Sequence, residues 1–336
     1  MALFDAYLAV DWSARSAPSP PRPSPDSVWV AEWDGSGARG AGDGTRVSYL
    51  RTRHACYQLL RERLLDHVAQ GRRVLAGFDF PLGYPRGFAA ALGLGDMPAP
   101  GLGDTADGPP AAPWRLLWDE LGRLIEDGPD NANNRFDVAA ALNRRCGTGP
   151  RAGDPGPLWG CPPAVAGPWL RSTSPRYPYG AGPVTLARLR WAERRLPGTQ
   201  PAWKLMGAGS AGSQCLLGIP VAGRLRSDPR LRDASRIWPF ETGFTRSPGP
   251  DDGSFVLHAE IWPGVLRGEG FRRGPAIDGR AHGPVIKDEA QVRAVVGWLR
   301  AADGDGRLPE LFGTPPRLDP GAVRDVLAEE GWILGG

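Results

Sequence analysis

The chain has 336 residues, 41 % hydrophobic and 23 % charged, the composition of an ordinary soluble globular protein. Its formal net charge of +3 is too small to indicate nucleic-acid binding by itself. No apolar run approaches the ~20 residues of a membrane span, and no secretory signal is visible, so we expect a cytoplasmic protein without a membrane partner. Its four cysteines never form C-x-x-C, which argues against a zinc knuckle.

The first predicted strand ends in an acid. The run Y-L-A-V-D over residues 7–11 is apolar until its last position, and in a strand Tyr7, Ala9 and Asp11 share one face. A carboxylate at the end of a buried strand costs desolvation energy unless a cation, a donor or water meets it. Asp11 is therefore a candidate for a metal or phosphate site. The alternative is that it accepts hydrogen bonds from the turn that follows.

Two more strands, a helix and a fourth strand are predicted next. Residues 27–33 and 45–50 have β-branched and aromatic character, and the short connections favour an antiparallel meander. Residues 53–70 carry an apolar side chain every fourth position and end at Gly71, as an amphipathic helix does. The strand predicted at 73–79 follows that helix, and such a strand normally runs parallel to its predecessor's neighbour through a right-handed crossover.

From residue 84 to about residue 235 the sequence is dense in proline and glycine, and no clean linker bounds it. We interpret 84–235 as a long, largely helical insertion within a single domain that covers residues 1–336. Helical patterns occur inside it at 114–126, 134–145 and 184–196.

Three elements are predicted after the insertion. Residues 255–262 alternate as a strand, and a helix begins at Asp288. A last helix is predicted at 320–330, with Asp319 as its cap and a proline in its first turn. Capping accounts fully for Asp319, and we assign it no chemistry.

The fourth strand repeats the pattern of the first. Residues 74–83 read V-L-A-G-F-D-F-P-L-G, so Asp79 ends a strand before a proline and glycine turn. Two strands that end in carboxylates can bring both acids to one rim of a sheet, where a hard cation such as Mg²⁺ needs only a few of them. The alternative for Asp79 is a turn acceptor before Pro81.

Two further acids are candidates. Asp288 is a ligand candidate, but Asp288 and Gln291 also match a capping box. Glu260 is either a ligand or orienting acid, or the partner of an arginine at the end of the sheet. His258 lies on the same strand face as Glu260, and packing explains it better than a proton shuttle.

The order strand, strand, strand, helix, strand, insertion, strand, helix, combined with Asp11, Asp79 and Asp288, resembles a family of predicted nucleases with a ribonuclease H-like fold. V-L-H-A-E-I-W-P-G over residues 256–264 belongs to the resemblance. It implies an α/β fold with a mixed five-stranded sheet flanked by helices. It also implies that Asp11, Asp79 and Asp288 bind Mg²⁺ or Mn²⁺ and that the protein is a metal-dependent phosphodiesterase acting on nucleic acid or a nucleotide.

One position departs from the family pattern. Many ribonuclease H enzymes carry a catalytic glutamate in the first turns of the first helix, where residues 53–57 here read R-H-A-C-Y. Glu260 is our candidate for the missing acid, so the predicted catalytic set is Asp11, Asp79, Glu260 and Asp288. The oligomeric state is not indicated.

Phosphate contacts are predicted for Ser13, Arg15 and Ser16, which follow the first strand. Gly207, Gly209 and Gly212 match G-x-G-x-x-G, but no hydrophobic strand precedes them, so we expect a loop or a backbone nest for phosphate, with Lys204 beside it.

Two other functions stay open. The loop D-W-S-A-R-S over residues 11–16 also resembles the ATP-binding loop of actin- and hexokinase-like phosphotransferases, although that branch has two such loops. A non-catalytic protein that binds a ligand through the insertion is the third possibility.

Overall fold

The computed structural model describes residues 2–35, 43–95, 111–147, 154–207, 209–267 and 286–336. A mixed sheet lies at its centre, and its strands are ordered β3-β2-β1-β4-β8-β7. A separate hairpin is formed by β5 and β6. The strands are β1 Ala6–Asp11, β2 Val28–Trp33, β3 Arg46–Leu50, β4 Arg73–Asp79, β5 Tyr179–Ala181, β6 Val184–Leu186, β7 Ser235–Ile237 and β8 Phe255–Glu260.

Helices cover both faces of the sheet. A single π-helical turn, Val326–Glu330, follows the last helix. In the described ranges, none of the helices combines the length and the apolarity that a bilayer crossing requires. The helices are α1 Arg53–Ala69, α2 Phe88–Ala91, α3 Pro113–Leu124, α4 Arg135–Cys146, α5 Trp191–Arg195, α6 Gly212–Ser227, α7 Lys287–Gly304, α8 Leu308–Phe312 and α9 Pro320–Asp325.

The sheet is antiparallel on one side and parallel on the other. β1, β2 and β3 pair as the predicted antiparallel meander. β4 runs parallel to β1, and β8 runs parallel to β4. The expected α/β class with a mixed sheet is therefore confirmed. The expected number of five strands is wrong, because β7 adds a sixth strand at the edge, parallel to β8. Its three residues are too few to show a period-2 pattern in sequence.

Successive side chains of β1 point to opposite faces of the sheet, as predicted, and each face carries its own hydrophobic cluster. Leu8 and Val10 pack on the face that α1, α3, α4 and α6 cover, whereas Tyr7 and Ala9 pack on the face that α7 covers. Asp11 follows the parity of Tyr7 and Ala9, so it belongs to the face of α7.

Residues of the predicted insertion share a hydrophobic cluster with the sheet. Trp114, Leu142 and Leu216 belong to the same buried cluster as Val10 and Phe78. A segment that packs its apolar side chains directly on the sheet contributes to the core of that sheet.

Two predictions inside the insertion are wrong. The helix predicted at 184–196 is strand β6 followed by the short helix α5, with Arg190 between them engaged in buried ion pairs. The glycine-rich stretch is not entirely the expected loop, because Gly212 begins the 16-residue helix α6. Pro220 inside α6 masks its helical pattern in the sequence.

The later elements follow the prediction closely. α7 begins at Lys287, one residue before the predicted start, and its buried stripe includes Val292 and Val296. Asp319 caps α9 by accepting hydrogen bonds from the amides of Gly321 and Ala322. The last helix is shorter than predicted, because its final turn is the π-helical turn.

Candidate functional site

Asp11 and Asp79 lie side by side at one edge of the sheet. They end the parallel strands β1 and β4 and are register partners, so their side chains leave the same face. Neighbouring strands in a sheet are about 4.8 Å apart. Within the described chain no hydrogen-bond donor or ion-pair partner reaches either carboxylate, so the turn-acceptor alternative finds no support there.

Asp288 approaches the same edge from the first turn of α7. Its Oδ2 accepts a hydrogen bond of 2.7 Å from the amide of Asp26. Ile286 is the N-cap of α7 and makes no side-chain cap, so the capping box of Asp288 and Gln291 does not form. Asp288 therefore holds the loop before β2 with one oxygen.

The charges of these acids act on one another. Burial raises the pKa of Asp11 well above its usual range, and the charges of Asp79 and Asp288 raise it further. Burial, together with Glu260 and Asp288, raises the pKa of Asp79 to about 7. Lys287 opposes both shifts. Clustered carboxylates that raise one another's pKa values are stabilised by a bound cation.

Glu260 is engaged in a buried ion pair. Its carboxylate accepts hydrogen bonds of 2.6 and 2.8 Å from the guanidinium of Arg190 and one of 3.0 Å from the amide of Leu82. Arg190 also donates from Nε to Glu193. The alternative in which Glu260 pairs with an arginine is therefore what the structure has. A role of Glu260 as ligand or catalytic acid stays a prediction.

A cavity of about 710 Å³ opens at this edge. Its walls combine the strand ends, the start of α7 and the segment 198–214 of the predicted insertion. This volume falls in the range of about 300–1,000 Å³ typical of sites that take small ligands. The charged side chains in the lining are Asp11, Arg15, Asp26, Asp79, Arg135, Arg190, Glu193, Glu260, Lys287 and Asp288.

The loop after β1 is held rigidly beside the acids. Arg53, fully buried, donates to the carbonyl oxygens of Ser13 and Arg15 and forms a bidentate ion pair with Asp127. The hydroxyl of Ser13 donates to the carbonyl of Asp26. Residues 53–57 contain no glutamate, and Arg53 fixes this loop.

The predicted phosphate-binding residues separate into two groups. Ser13 and Arg15 line the cavity, with Arg15 exposed. Ser16 and Lys204 are not part of the lining: the hydroxyl of Ser16 accepts from Arg135, and Lys204 lies 5.8 Å from the centroid of the Trp159 ring.

The glycine-rich loop faces the cavity as well. Gly207 and Gly209 line it with positive φ angles of 101° and 66°. Ala208 between them lies outside the described residues. Gly212 packs tightly, because a Cβ there would lie 2.5 Å from the carbonyl oxygen of Ala202.

The sequence F-D-F-P-L-G after β4 has a steric explanation. Phe80 packs on Trp12, with ring centroids 5.6 Å apart. A Cβ on Gly83 would lie 2.3 Å from the carbonyl oxygen of Glu329, so only glycine fits. These neighbours hold the loop while Asp79 stays free to face the cavity.

Sequence reasoning missed five charged residues of the cavity: Arg190 and Glu193, which form the buried ion pairs described above, and Asp26, Lys287 and Arg135. Asp26 has a left-handed backbone (φ 56°) that presents its amide to Asp288. Lys287 precedes Asp288 and is one of only two lysines in an arginine-rich chain, which was the available signal. No sequence pattern marked Arg135 as a cavity residue, because its position in the cavity depends on how the predicted insertion packs.

His258 is packed, as expected. Its Nε2 lies 2.7 Å from Ser235 Oγ, and burial lowers its pKa to about 3. A neutral imidazole in this environment serves the packing of β8 against β7.

Two of the acids, rather than three, suit a hard cation. Among the described residues, no three His, Cys, Asp or Glu side chains lie close enough together to hold a metal ion. Asp11 and Asp79 supply two adjacent carboxylates, and Mg²⁺ commonly binds through one or two carboxylates while keeping several waters. Two adjacent carboxylates are a donor set that fits Mg²⁺ or Mn²⁺, and ligation of the ion by Asp11, Asp79 and Asp288 stays a prediction.

Comparisons of the chain with protein-family models, with curated proteins and with solved structures find no match. The resemblance to ribonuclease H-like nucleases is not tested by them. A functional assignment therefore depends on the chemistry of the cavity.

Proposed function

We propose that the protein is a divalent-metal-dependent phosphodiesterase with a ribonuclease H-like fold, acting on nucleic acid or a nucleotide. The observation that carries the proposal is the pair of adjacent carboxylates, Asp11 and Asp79, to which no described group donates a hydrogen bond and with which none forms an ion pair. The strand order β3-β2-β1-β4-β8, with three antiparallel strands followed by two parallel ones, supports it. The sixth strand, β7, is an addition to that arrangement.

Each residue of the cavity has a role in the proposal. Asp11 and Asp79 hold Mg²⁺ or Mn²⁺, and the bound ion supplies Lewis-acid stabilisation of charge on the phosphate. Asp288 adds a third negative charge at the same edge and fixes the loop that contains Asp26. Lys287, whose charge acts on both acids, offers a cation to the non-bridging oxygens of a phosphate at this edge.

Glu260 acts indirectly in this proposal. Its ion pair with Arg190 and its bond to the Leu82 amide position the loop after Asp79. A buried carboxylate that already accepts these bonds serves best as a positioning residue.

The proposal is tested by cleavage of labelled single-stranded DNA, single-stranded RNA and duplexes with Mn²⁺ or Mg²⁺. We expect Asp11→Asn and Asp79→Asn to abolish cleavage and to weaken Mn²⁺ binding in calorimetry. Asp233→Asn is the matched control, because its side chain is 94 % exposed and does not line the cavity. Absence of both cleavage and metal binding in the wild-type protein would refute the proposal.

The same experiment separates the phosphotransferase alternative. That alternative predicts thermal stabilisation by ATP with Mg²⁺ and phosphoryl transfer in place of phosphodiester cleavage. A non-catalytic protein would bind a ligand and show neither reaction.

A further inference from the structure

Arg135, at the start of α4, is a cation whose described partners are all neutral. Its guanidinium donates to the hydroxyl of Ser16 at 2.7 Å, to the amide oxygen of Asn133 at 2.7 Å and to the hydroxyl of Ser213 at 3.0 Å. It also lies 4.3 Å over the ring of Phe136. The side chain is half-buried and lines the cavity. The three hydrogen bonds fix the orientation of the guanidinium, and their acceptors are neutral oxygens that carry no compensating charge.

The nearest charges leave Arg135 without a counterion. The charge of Asp127 acts on Arg135, but both oxygens of Asp127 already accept hydrogen bonds from Arg53, at 2.6 and 2.7 Å. Burial and the positive charge of Arg53 lower the pKa of Arg135 to about 10. Across the described ranges, no carboxylate forms an ion pair with Arg135. A half-buried guanidinium without a counterion is stabilised by an anion that forms charge-assisted hydrogen bonds with it.

The surroundings of Arg135 favour negative charge in the ligand. Arg15 lines the same cavity and is exposed. Through Ser213, Arg135 contacts the first turn of α6, a 16-residue helix whose N-terminal dipole favours anions. The cavity therefore has an acidic part at Asp11 and Asp79 and a basic part at Arg135 and Arg15.

The shape of the cavity restricts what can reach both parts. Residues of the predicted insertion, including Thr199, Gln200 and Met206, line the same cavity as the two carboxylates. A volume of about 710 Å³ suits a small molecule or the end of one strand, not the body of a double helix.

We propose that Arg135 and Arg15 form an anion subsite for a second phosphate of the substrate, and that the substrate is a short single-stranded phosphodiester with a terminal phosphate. The terminal phosphate occupies the subsite while the phosphodiester lies at Asp11 and Asp79. The identity of the cleaved bond rests on the proposed function, whereas the anion subsite does not.

The subsite is tested without metal or catalysis, by calorimetric titration of the whole chain with pyrophosphate in EDTA. We expect Arg135→Gln to weaken pyrophosphate binding about 10- to 100-fold, the usual effect of losing a charge-assisted pair. Arg144→Gln is the matched control, because Arg144 is an exposed arginine of the same helix, and it should bind as the wild type does. Equal binding by Arg135→Gln and the wild type would overturn the subsite.

Two further variants guard against a folding defect. Arg135→Lys keeps the charge but loses the planar fork, so it should retain part of the affinity. Arg15→Gln changes an exposed side chain and should fold normally while also weakening pyrophosphate binding. If neither Arg15→Gln nor Arg135→Lys changes the affinity, the subsite is excluded even where Arg135→Gln misfolds.

The substrate class is tested with thymidine dinucleotides that carry a 5′-phosphate, a 3′-phosphate or none. We expect the wild type with Mn²⁺ to prefer one phosphorylated form in kcat/KM by about tenfold or more, and Arg135→Gln to lose most of that preference. Pyrophosphate binding without any dinucleotide cleavage would refute the substrate class and leave the subsite standing. If the wild type also failed to cleave the longer DNA and RNA and to bind Mn²⁺, the proposed function would fail as well. Cleavage without a preference for a terminal phosphate would refute the substrate class alone.

Discussion

Arg190 and Glu260 face each other through two parallel hydrogen bonds, of 2.6 and 2.8 Å, and their side chains are only 1 % and 3 % exposed. Arg190 also pairs with Glu193, so removal of Glu260 takes one of two buried acidic partners from Arg190, whereas removal of Arg190 leaves both carboxylates without a counterion. Glu260, which sequence reasoning placed among the catalytic acids, therefore also has a structural role. The structural and the catalytic role predict different effects of replacing Glu260.

Replacement of Glu260 should destabilise the whole protein. We expect Glu260→Gln to lower the free energy of unfolding by about 1–3 kcal/mol, because Arg190 loses two charge-assisted hydrogen bonds and keeps only Glu193 as an acidic partner among the described residues. The triple variant Arg190→Met, Glu193→Gln, Glu260→Leu should recover part of the loss, since the buried Glu193, which also pairs with Arg190, is then neutral as well. Urea unfolding measures both. If Glu260→Gln unfolds like the wild type and loses only metal binding, then Glu260 is a ligand and the positioning role is wrong.

Gly83 is required by the close approach of two loops. Gly83→Ala should lower the free energy of unfolding by at least about 2 kcal/mol, because the new Cβ would overlap the carbonyl oxygens of Glu329 and Glu330. Gly297→Ala is the control: Gly297 lies inside α7, and a Cβ added there would have no neighbour within 4 Å, so the change should stabilise by about 0.5–1 kcal/mol. Thermal or urea unfolding compares the two, and equal effects would contradict the steric explanation.

The stability of the metal-free protein should depend on Asp79 and on pH. The folded-state pKa of Asp79, about 7, is above its ordinary value of 3.8, so the folded protein binds this proton more tightly than the unfolded chain does. The contribution of Asp79 to stability is therefore complete below about pH 4 and is lost as the pH rises through 7.

Asp79→Asn removes that dependence. In EDTA we expect it to be more stable than the wild type by about 1–4 kcal/mol at pH 8, with little difference at pH 4. Urea unfolding at both values measures it, and Asp233→Asn should show no such change. A variant less stable than the wild type at pH 8 would show that the Asp79 carboxylate is already compensated.

Asp288 has two separable features, the hydrogen bond that it accepts from the Asp26 amide and its negative charge. Asp288→Asn retains an acceptor for the Asp26 amide but removes the charge, so it should weaken Mn²⁺ binding with a small effect on stability. Asp288→Ala removes both and should cost about 1–3 kcal/mol more in unfolding free energy. Calorimetric Mn²⁺ titration and urea unfolding separate the two effects. Unchanged Mn²⁺ affinity in both variants would exclude Asp288 from the site.

Local patterns predicted the elements whose side chains repeat with a clear period. β1, β4 and the buried stripe of α7 all occur where the sequence places them, because each buries one regular face against a neighbour. The meeting of Asp11 and Asp79 followed from strand order alone, since parallel strands end at the same edge.

Features that depend on distant contacts were not predictable in this way. Arg190 is 70 residues from Glu260, and nothing local marks it as a partner. Arg135 reaches the cavity only because α4 packs beside α6. The helix α6 was hidden by glycines and by Pro220, which lower local helix propensity although tertiary packing sustains the helix.

The register between β1 and β4 has a consequence for how this architecture can change. The spacing of Asp11 and Asp79 is set by main-chain pairing, which side-chain replacements elsewhere in the cavity leave intact. Thr199, Gln200 and Met206 in the facing wall, by contrast, are loop residues outside the core, where replacements are tolerated better than at the buried Leu205 or the tightly packed Gly212. Selectivity for a ligand can therefore diverge by changes at these loop positions while Asp11 and Asp79 keep their spacing.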